Sequence, residues 1–403
     1  MAPASVQKLF APGQSQGIWA PDVIYLNKKY YMYYCVAARD GSFTAVGLIT
    51  SPTLNPDDPA YHWTDEGPVI TDKDHQDLKS AMDPCPFLDT NGDLWLSYGS
   101  GFANGAKQND PTIFLTKLDK NTGLPDSTDK TQYPVAYGHI EASYVFYHDG
   151  YYYLFWNSGG CCNGAKSSYT IHMARARNLT GPYVNKSGQQ RASEIFLGPT
   201  VYKNSIIGNE HGPGQIGVLS EDGLDRCTYH FYGDNGRPVL GEETMVWGAD
   251  GWPSAGTDLA PGTYKITSNA GGGMALGLPA AGGLLQGQSY SGDKSQQWKV
   301  AYTYSSGTNA DGYYSITSVS TGQPLDLAQL GAPNTSPMTQ ATTPPGGTQR
   351  WVIEQTGDGS YRIVSAVNWQ AVSVPQAGGA ALSMVKPGSM GDPRVIEWNF
   401  GAP

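Results

Sequence analysis

Residues 140–159 read IEASYVFYHDGYYYLFWNSG. Two aromatic, strand-forming runs flank the Asp149–Gly150 step, and Asp-Gly between alternating strands is a strong short-range signal for a tight β-hairpin. The same order returns at 19–37 as WAPDVIYLNKKYYMYYCVA and at 81–101 as AMDPCPFLDTNGDLWLSYGSG. A looser copy occupies 211–234, HGPGQIGVLSEDGLDRCTYHFYGD. The turns LNKK, DTNGD, YHDGY and SEDGLD carry the Asn/Asp/Gly chemistry that such hairpins demand, and segments such as AVGLITS and YTIHMARA add outer strands. A sheet-sized module recurring roughly every 60 residues predicts radial repetition, the arrangement by which β-propellers protect their sheet edges.

A different repeat follows DGWP at 250–253. GTYKITS (262–268), GYYSITS (312–318) and GSYRIVS (359–365) each open a unit. SQQWKV, TQRWVI and VIEWNF close the units and place Trp298, Trp351 and Trp398 at matching points. Three such units predict a threefold barrel, a β-trefoil, whose tryptophans belong to the core. The chain is therefore expected to be all-β: a propeller domain over 1–253, a linker at 254–261 (SAGTDLAP) and a trefoil over 262–403.

Composition narrows the function. A formal net charge of −10 argues against nucleic acid, which needs a basic surface. No run of 18 apolar residues exists, so no membrane span is expected. The opening MAPASVQKLFAPGQ lacks the basic and apolar regions of a secretory signal. The triplets at Asn178, Asn185 and Asn334 are possible glycan acceptors and favour a secreted protein. Five cysteines without CxxC spacing argue against a metal cluster. A monomer that requires no cofactor is expected.

In a propeller the innermost strand of each sheet lines the axis, so the residues heading those strands converge on one funnel. They are Trp19 to Asp22, Ala81 to Asp83, Ile140 with Glu141, and Gly212 to Gln215. Glycoside hydrolysis needs two carboxyl groups, one to protonate the leaving oxygen and one to activate water or attack. Asp83 and Glu141, at equivalent places in successive repeats, are the candidates. Asp22 reads more readily as a loop anchor. Most of the tyrosines, Tyr151 to Tyr153 included, read as strand packing.

The motifs WAPDV, ITSPTL, AMDP, IEAS with GYYYLF, CC, LTGPY, GPGQ and DGWP occur in an order that resembles glycoside hydrolase family 43, in particular its arabinanase and arabinofuranosidase branch. The resemblance covers about residues 17–253. It implies a five-bladed-type propeller and an inverting mechanism. Glu141 would be the general acid, Asp83 the aspartate that raises and holds it, and Trp19 an aromatic wall of the sugar pocket. The family's opening blade bears an HDP-like motif with the general base. That blade and its aspartate have no match here, and residues 1–18 contain no Asp, Glu or His. Two sheet faces are accordingly expected to lie open. Relatives often carry GPGH where this chain has GPGQ. Gln215 offers an amide suited to a sugar hydroxyl, so a central calcium ion is considered but not expected. The resemblance sets Cys161–Cys162 at the pocket rim, as a vicinal disulfide or as two thiols.

The C-terminal region resembles ricin-type β-trefoil carbohydrate-binding domains through Gln296/Trp298 and Gln349/Trp351; the third unit has Ile396 where Gln would stand. The sugar-binding Asp of that family is matched only by Asp326, with Gly277 and Ser373 at the other two places. One working subsite at Asp326, or none, is implied. Together these resemblances imply a secreted hydrolase of α-L-arabinofuranosyl linkages in plant cell-wall polysaccharide: arabinan, arabinoxylan or galactan side chains. A β-xylosidase or galactan-cleaving relative is the enzymatic alternative. A non-catalytic polysaccharide-binding protein is the alternative that the unmatched base favours.

Overall fold

The computed structural model describes residues 2–403 except 15, 40, 72–80, 103–104, 202–208, 222, 257–258, 271, 280–282, 305–309, 328–337, 341–346, 357–358, 375–380, 388 and 390–391. The triplet at Asn334 lies outside the described residues. Four antiparallel sheets follow one another as propeller blades. The first contains Gln16–Leu26, Lys29–Ala38, Thr44–Ser51 and Thr64–Thr71; the second contains Cys85–Leu88, Leu94–Tyr98, Pro111–Leu118 and Gln132–Tyr137. The third contains Glu141–His148, Tyr151–Ser158, Thr170–Ala176 and Glu194–Leu197. Its first hairpin turns at Asp149 and Gly150, both left-handed, as the Asp-Gly step demands. The fourth sheet runs from Thr200–Val201 through Glu210–Glu221, Leu224–Tyr232 and Pro238–Trp247 to Pro253–Ala255.

Strand alternation sends one set of side chains to each face, and the sheets stack through those faces. Tyr33, Cys35, Val46 and Leu48 of the first sheet meet Leu94, Leu96 and Tyr98 of the second. Ile113 and Leu115 of the second sheet then meet Val145, Leu154 and Ala174 of the third. The opposite face of the first sheet was expected to lie open, and it does not. A short helix, Ala4–Gln7, and the residues around it lay Ala2, Val6 and Phe10 over Tyr34, Val36, Ala38 and Ala45. Ser5 fastens this segment to the outermost strand, its backbone N–H donating to Asp65 at 2.9 Å and its hydroxyl at 2.5 Å. The physical reason is plain: an apolar sheet face is costly to leave in water, and ten residues of chain suffice to cover it.

The C-terminal repeat forms a closed six-stranded barrel. Gly262–Ser268 pairs with Gln297–Tyr304, which pairs in turn with Ala310–Ser318; the path continues through Trp351–Gln355, Tyr361–Ser365 and Glu397–Gly401 back to Gly262–Ser268. Three short hairpins, one per unit, complete the trefoil: Ala275–Gly277 with Gln286–Gln288, Leu325–Leu327 with Met338–Gln340, and Ala371–Ser373 with Ser383–Val385. Trp298, Trp351 and Trp398 are fully buried. Each indole N–H donates to a hairpin carbonyl of its own unit: Leu276 at 2.9 Å, Leu325 at 3.4 Å and Val372 at 2.9 Å.

Segment 254–261 is not a bare tether. Ser254 and Ala255 pair with Val246 and Met245, and Gly256 N–H donates to Thr244 O at 2.7 Å. The chain divides into two compact units inside the fourth sheet: Met1–Val201 with Glu210–Gly217 and Thr228–Gly241 form one, while Val218–Cys227 and Glu242–Pro403 belong to the other. Within this second unit the Arg226 guanidinium grips Glu354 through two hydrogen bonds of 2.8 and 2.9 Å.

Candidate active site

The innermost strands open with a shared irregularity. Trp19 pairs with Cys35 and Asp22 with Tyr33; Glu141 pairs with Asn157 and Tyr144 with Phe155. In both, three steps on one strand meet two on its neighbour, which is a β-bulge, and a bulge re-aims the side chains around it. The extra residue is left-handed: Ala20 at φ 43° and Ala142 at 56°. Asp83 (52°) and Gln215 (56°) take the same conformation at the heads of the second and fourth sheets. Trp19, Met82, Glu141 and Gly214 thus share one position, and Ala20, Asp83, Ala142 and Gln215 share the next. The two carboxylates are offset by one residue and are not at equivalent places, contrary to the expectation from the repeats.

That offset builds the pair. Asp83 is 5% exposed, and its Oδ2 accepts the N–H of Ala142, the residue after Glu141, at 3.0 Å. Burial, and then the nearby Glu141 charge, push the Asp83 carboxyl up to about 8, against the Ala142 hydrogen bond. Glu141 is half-buried and held by two hydroxyls: Ser100 donates to Oε2 at 2.7 Å and Tyr169 to Oε1 at 2.6 Å. Burial and the adjacent Glu141 carboxylate keep the Tyr169 phenol protonated, so it stays a donor. Gly214 is required here, because a Cβ would run into the Tyr169 ring. The fully buried Asn157 staples this loop to the third sheet. Its Nδ2 donates to Pro213 O at 3.1 Å and its Oδ1 accepts from Gln215 N at 3.1 Å.

Glu141, Asp83, Trp19 and Gln215 line one cavity of about 740 Å³. Trp19, half-exposed, offers an aromatic wall, and the joined Cys161–Cys162 pair, a disulfide in this structure, lies on the lining too. His230 completes that side. Burial lowers its basicity and so favours the neutral ring, and its Nε2 has no partner among the described groups. A partly apolar cavity with a few converging polar groups and a perturbed carboxyl pair is the usual form of a small-ligand or catalytic site.

The model of the family described as "Glycosyl hydrolases family 43" matches residues 4–253. The chain belongs to this family. The ricin-type beta-trefoil lectin domain-like model matches residues 294–385. An extracellular endo-α-(1→5)-L-arabinanase of Bacillus subtilis is 35% identical over 62% of this chain and 73% of its own length. An extracellular exo-α-(1→5)-L-arabinofuranosidase of Cellvibrio japonicus is 31% identical over 61% of this chain and 72% of its own. The solved Cellvibrio cellulosa α-L-arabinanase complexed with arabinohexaose superposes with a TM-score of 0.55 at 26% identity, over 63% of this chain and 82% of that one.

For a family 43 chain the neighbours of Glu141 matter as much as Glu141 itself, and sequence reasoning missed four: Ser100, Asn157, Tyr169 and His230. The available signal was positional. Ser100 and Asn157 lie at or just past the end of a second strand and Tyr169 just before a third, all at the same end of the sheets as the inner strand heads. Asp22 does not line the cavity. Its Oδ1 accepts Val23 N–H at 2.7 Å and it hydrogen-bonds the Cys85 thiol across to the second sheet, with burial raising its carboxyl to about 6. Asp326 lies in the trefoil and is not among the residues lining this cavity. There it accepts from Gln349 at 3.0 Å and from Leu327 N–H at 2.7 Å. In the first unit, where Gly277 replaces it, Gln296 donates its amide to Ser289 O at 2.8 Å and to Gln288 at 3.4 Å. Among the described residues no group of three or more His, Cys, Asp or Glu is placed to hold a metal ion, and Gln215 supplies only an amide.

Proposed function

We propose that this chain hydrolyses α-L-arabinofuranosyl linkages of plant cell-wall arabinan with inversion, Glu141 serving as general acid. The observation that carries the reading is the Asp83–Glu141 pair. A buried carboxyl pushed up to about 8 keeps one proton in the pair at neutral pH. A glycosidic oxygen seated against the cavity-facing Glu141 draws that proton onto the leaving group, while Asp83 fixes the strand head through Ala142. Trp19 packs against a sugar face and Gln215 hydrogen-bonds a hydroxyl. The arabinan-directed names of the two relatives support the substrate class, and both are extracellular proteins, which supports secretion. No helix among the described residues is long and apolar enough to cross a membrane.

One observation favours a second reading. Among the described lining residues the only carboxylates are Asp83 and Glu141, so those residues supply no third carboxylate to act as general base. A polysaccharide-binding protein without turnover fits that arrangement. A panel of aryl α-L-arabinofuranoside, aryl β-xyloside, arabinan and galactan separates the readings. Turnover of the arabinofuranosyl substrates is expected, with Glu141→Gln lowering kcat by about 10²–10⁴-fold while polysaccharide affinity persists. No turnover on any substrate, with retained binding, overturns the hydrolase reading; an unchanged rate in Glu141→Gln overturns the choice of acid.

A further inference from the structure

The trefoil carries an aromatic side chain in a place where its own repeats use glycine. In the second unit Ser318 N–H donates to Gln323 O at 3.0 Å and Gly322 N–H to Ser318 O at 2.9 Å. In the third unit Ser365 N–H donates to Gln370 O at 2.9 Å and Trp369 N–H to Ser365 O at 3.0 Å. The turns are therefore the same, and Trp369 occupies the Gly322 slot. The backbone there is left-handed, φ 70° at Gly322 and 55° at Trp369; Gly273, which stands at this point in the first unit, has φ 73°. A bulky side chain in that conformation is strained. Trp369 recovers little by packing, since it is 58% exposed. A large exposed aromatic held in a strained turn marks a place selected for contact and not for stability.

The turn is braced. Asn368 Oδ1 accepts Gln370 N–H at 3.1 Å, and Asn368 Nδ2 donates to Gln370 Oε1 at 3.3 Å. The indole is thus presented from a pre-set loop, which lowers the ordering cost of binding. Beside it, within the same compact unit, runs a cleft of about 510 Å³ whose lining includes Glu221, Glu242, Gln370 and Lys386. Arg226, also on this lining, is committed to Glu354.

We propose that Trp369 and this cleft form a saccharide-binding site for a neutral polysaccharide, separate from Asp326 and from the propeller cavity. The indole face packs on the apolar C–H face of a sugar ring, and the carboxylates and amide accept and donate to ring hydroxyls. Glu221 and Glu242 make the cleft a poor host for uronate polymers. The proposal does not rest on hydrolysis at Glu141.

Affinity electrophoresis tests it, run on the full chain in a Glu141→Gln background so that polymer is not consumed. Gels contain soluble arabinan, arabinoxylan or galactan, with polygalacturonate as the acidic control. Trp369→Gly is expected to lose at least fivefold in affinity for one or more neutral polymers, with a thermal midpoint equal to or above the parent's. Trp369→Tyr is expected to retain most of the affinity, and Asp326→Ala to leave the Trp369 contribution in place. Equal retardation of parent and Trp369→Gly in every neutral gel overturns the proposal. So does an affinity loss that accompanies a lowered midpoint and is not restored by Trp369→Tyr, or retardation of the parent by polygalacturonate as strong as by the neutral polymers.

Discussion

The two repeat arrays of this chain use repetition differently. In the barrel, the first strand pairs with the last, Lys265 with Gly401 through Ser268 with Trp398, so each unit meets an equivalent neighbour. The price of that closure is uniformity at the interlocking positions: three buried tryptophans, each giving its N–H to a carbonyl of its own unit. In the four-sheet array only a left-handed backbone step recurs at the strand heads; the residue before it is Trp, Met, Glu or Gly, and the left-handed residue itself is Ala, Asp, Ala or Gln. Where side chains must interlock they stay the same. Where only the chain path must repeat, they are free to diverge, and the Asp83–Glu141 carboxyl pair arose in that freedom.

The sharpest way to break this comparison is to remove the interlocking residues one at a time. Trp298→Ala and Trp398→Ala should each destabilise the trefoil by about 3–5 kcal/mol, with Trp351→Ala at the lower end because its hydrogen bond is the longest. Urea unfolding followed by fluorescence and circular dichroism reads the loss. A cost below about 1 kcal/mol at any one of the three would show that the units are not mechanically equivalent.

The four-sheet array should respond most where it departs from repetition. Val6 is fully buried on the face of the first sheet that, among the described residues, no further sheet covers. Val6→Ala removes two methyl-sized groups at about 0.8 kcal/mol each, so a loss of about 1.5 kcal/mol is expected from urea midpoints. A negligible change would mean that the helical segment lies on the first sheet without holding it.

Much of this was legible in the chain because repetition leaves a periodic trace. The Asp149–Gly150 hairpin, the aromatic strands around it and the three Trp-bearing closings all follow from local chemistry that sequence displays directly. The cover over the first sheet was not legible: ASVQKLF has no repeat to match, and its value lies wholly in the tertiary face it meets. The donors to Glu141 were hidden for a related reason. Ser100 and Tyr169 come from different sheets, 41 and 28 residues away, and each looks like an ordinary strand-end residue until the funnel brings them together. Trp369 stands out only when the hydrogen bonds of its turn are set beside those of the Gly322 turn.

A pH-dependent effect concerns the exchange between stability and chemistry at Asp83. Its carboxyl stands near 8 in the folded protein against an ordinary value of 3.8. Between those values the folded chain keeps a proton that the unfolded chain has released, so unfolding gains stability relative to folding as pH rises. The penalty is absent below about 4, grows through the interval and is complete above about 8. Asp83→Asn cannot titrate, yet its amide oxygen still accepts from Ala142 N–H. The variant's thermal midpoint should therefore gain on the parent's progressively from pH 4 to pH 8, while kcat falls because the pair no longer stores a proton. Parallel midpoint curves across that range would place the proton elsewhere than on Asp83. Diverging curves with a lowered kcat would show that the strand head, unlike the tryptophan slots of the barrel, gives up folding stability to keep its carboxyl buried.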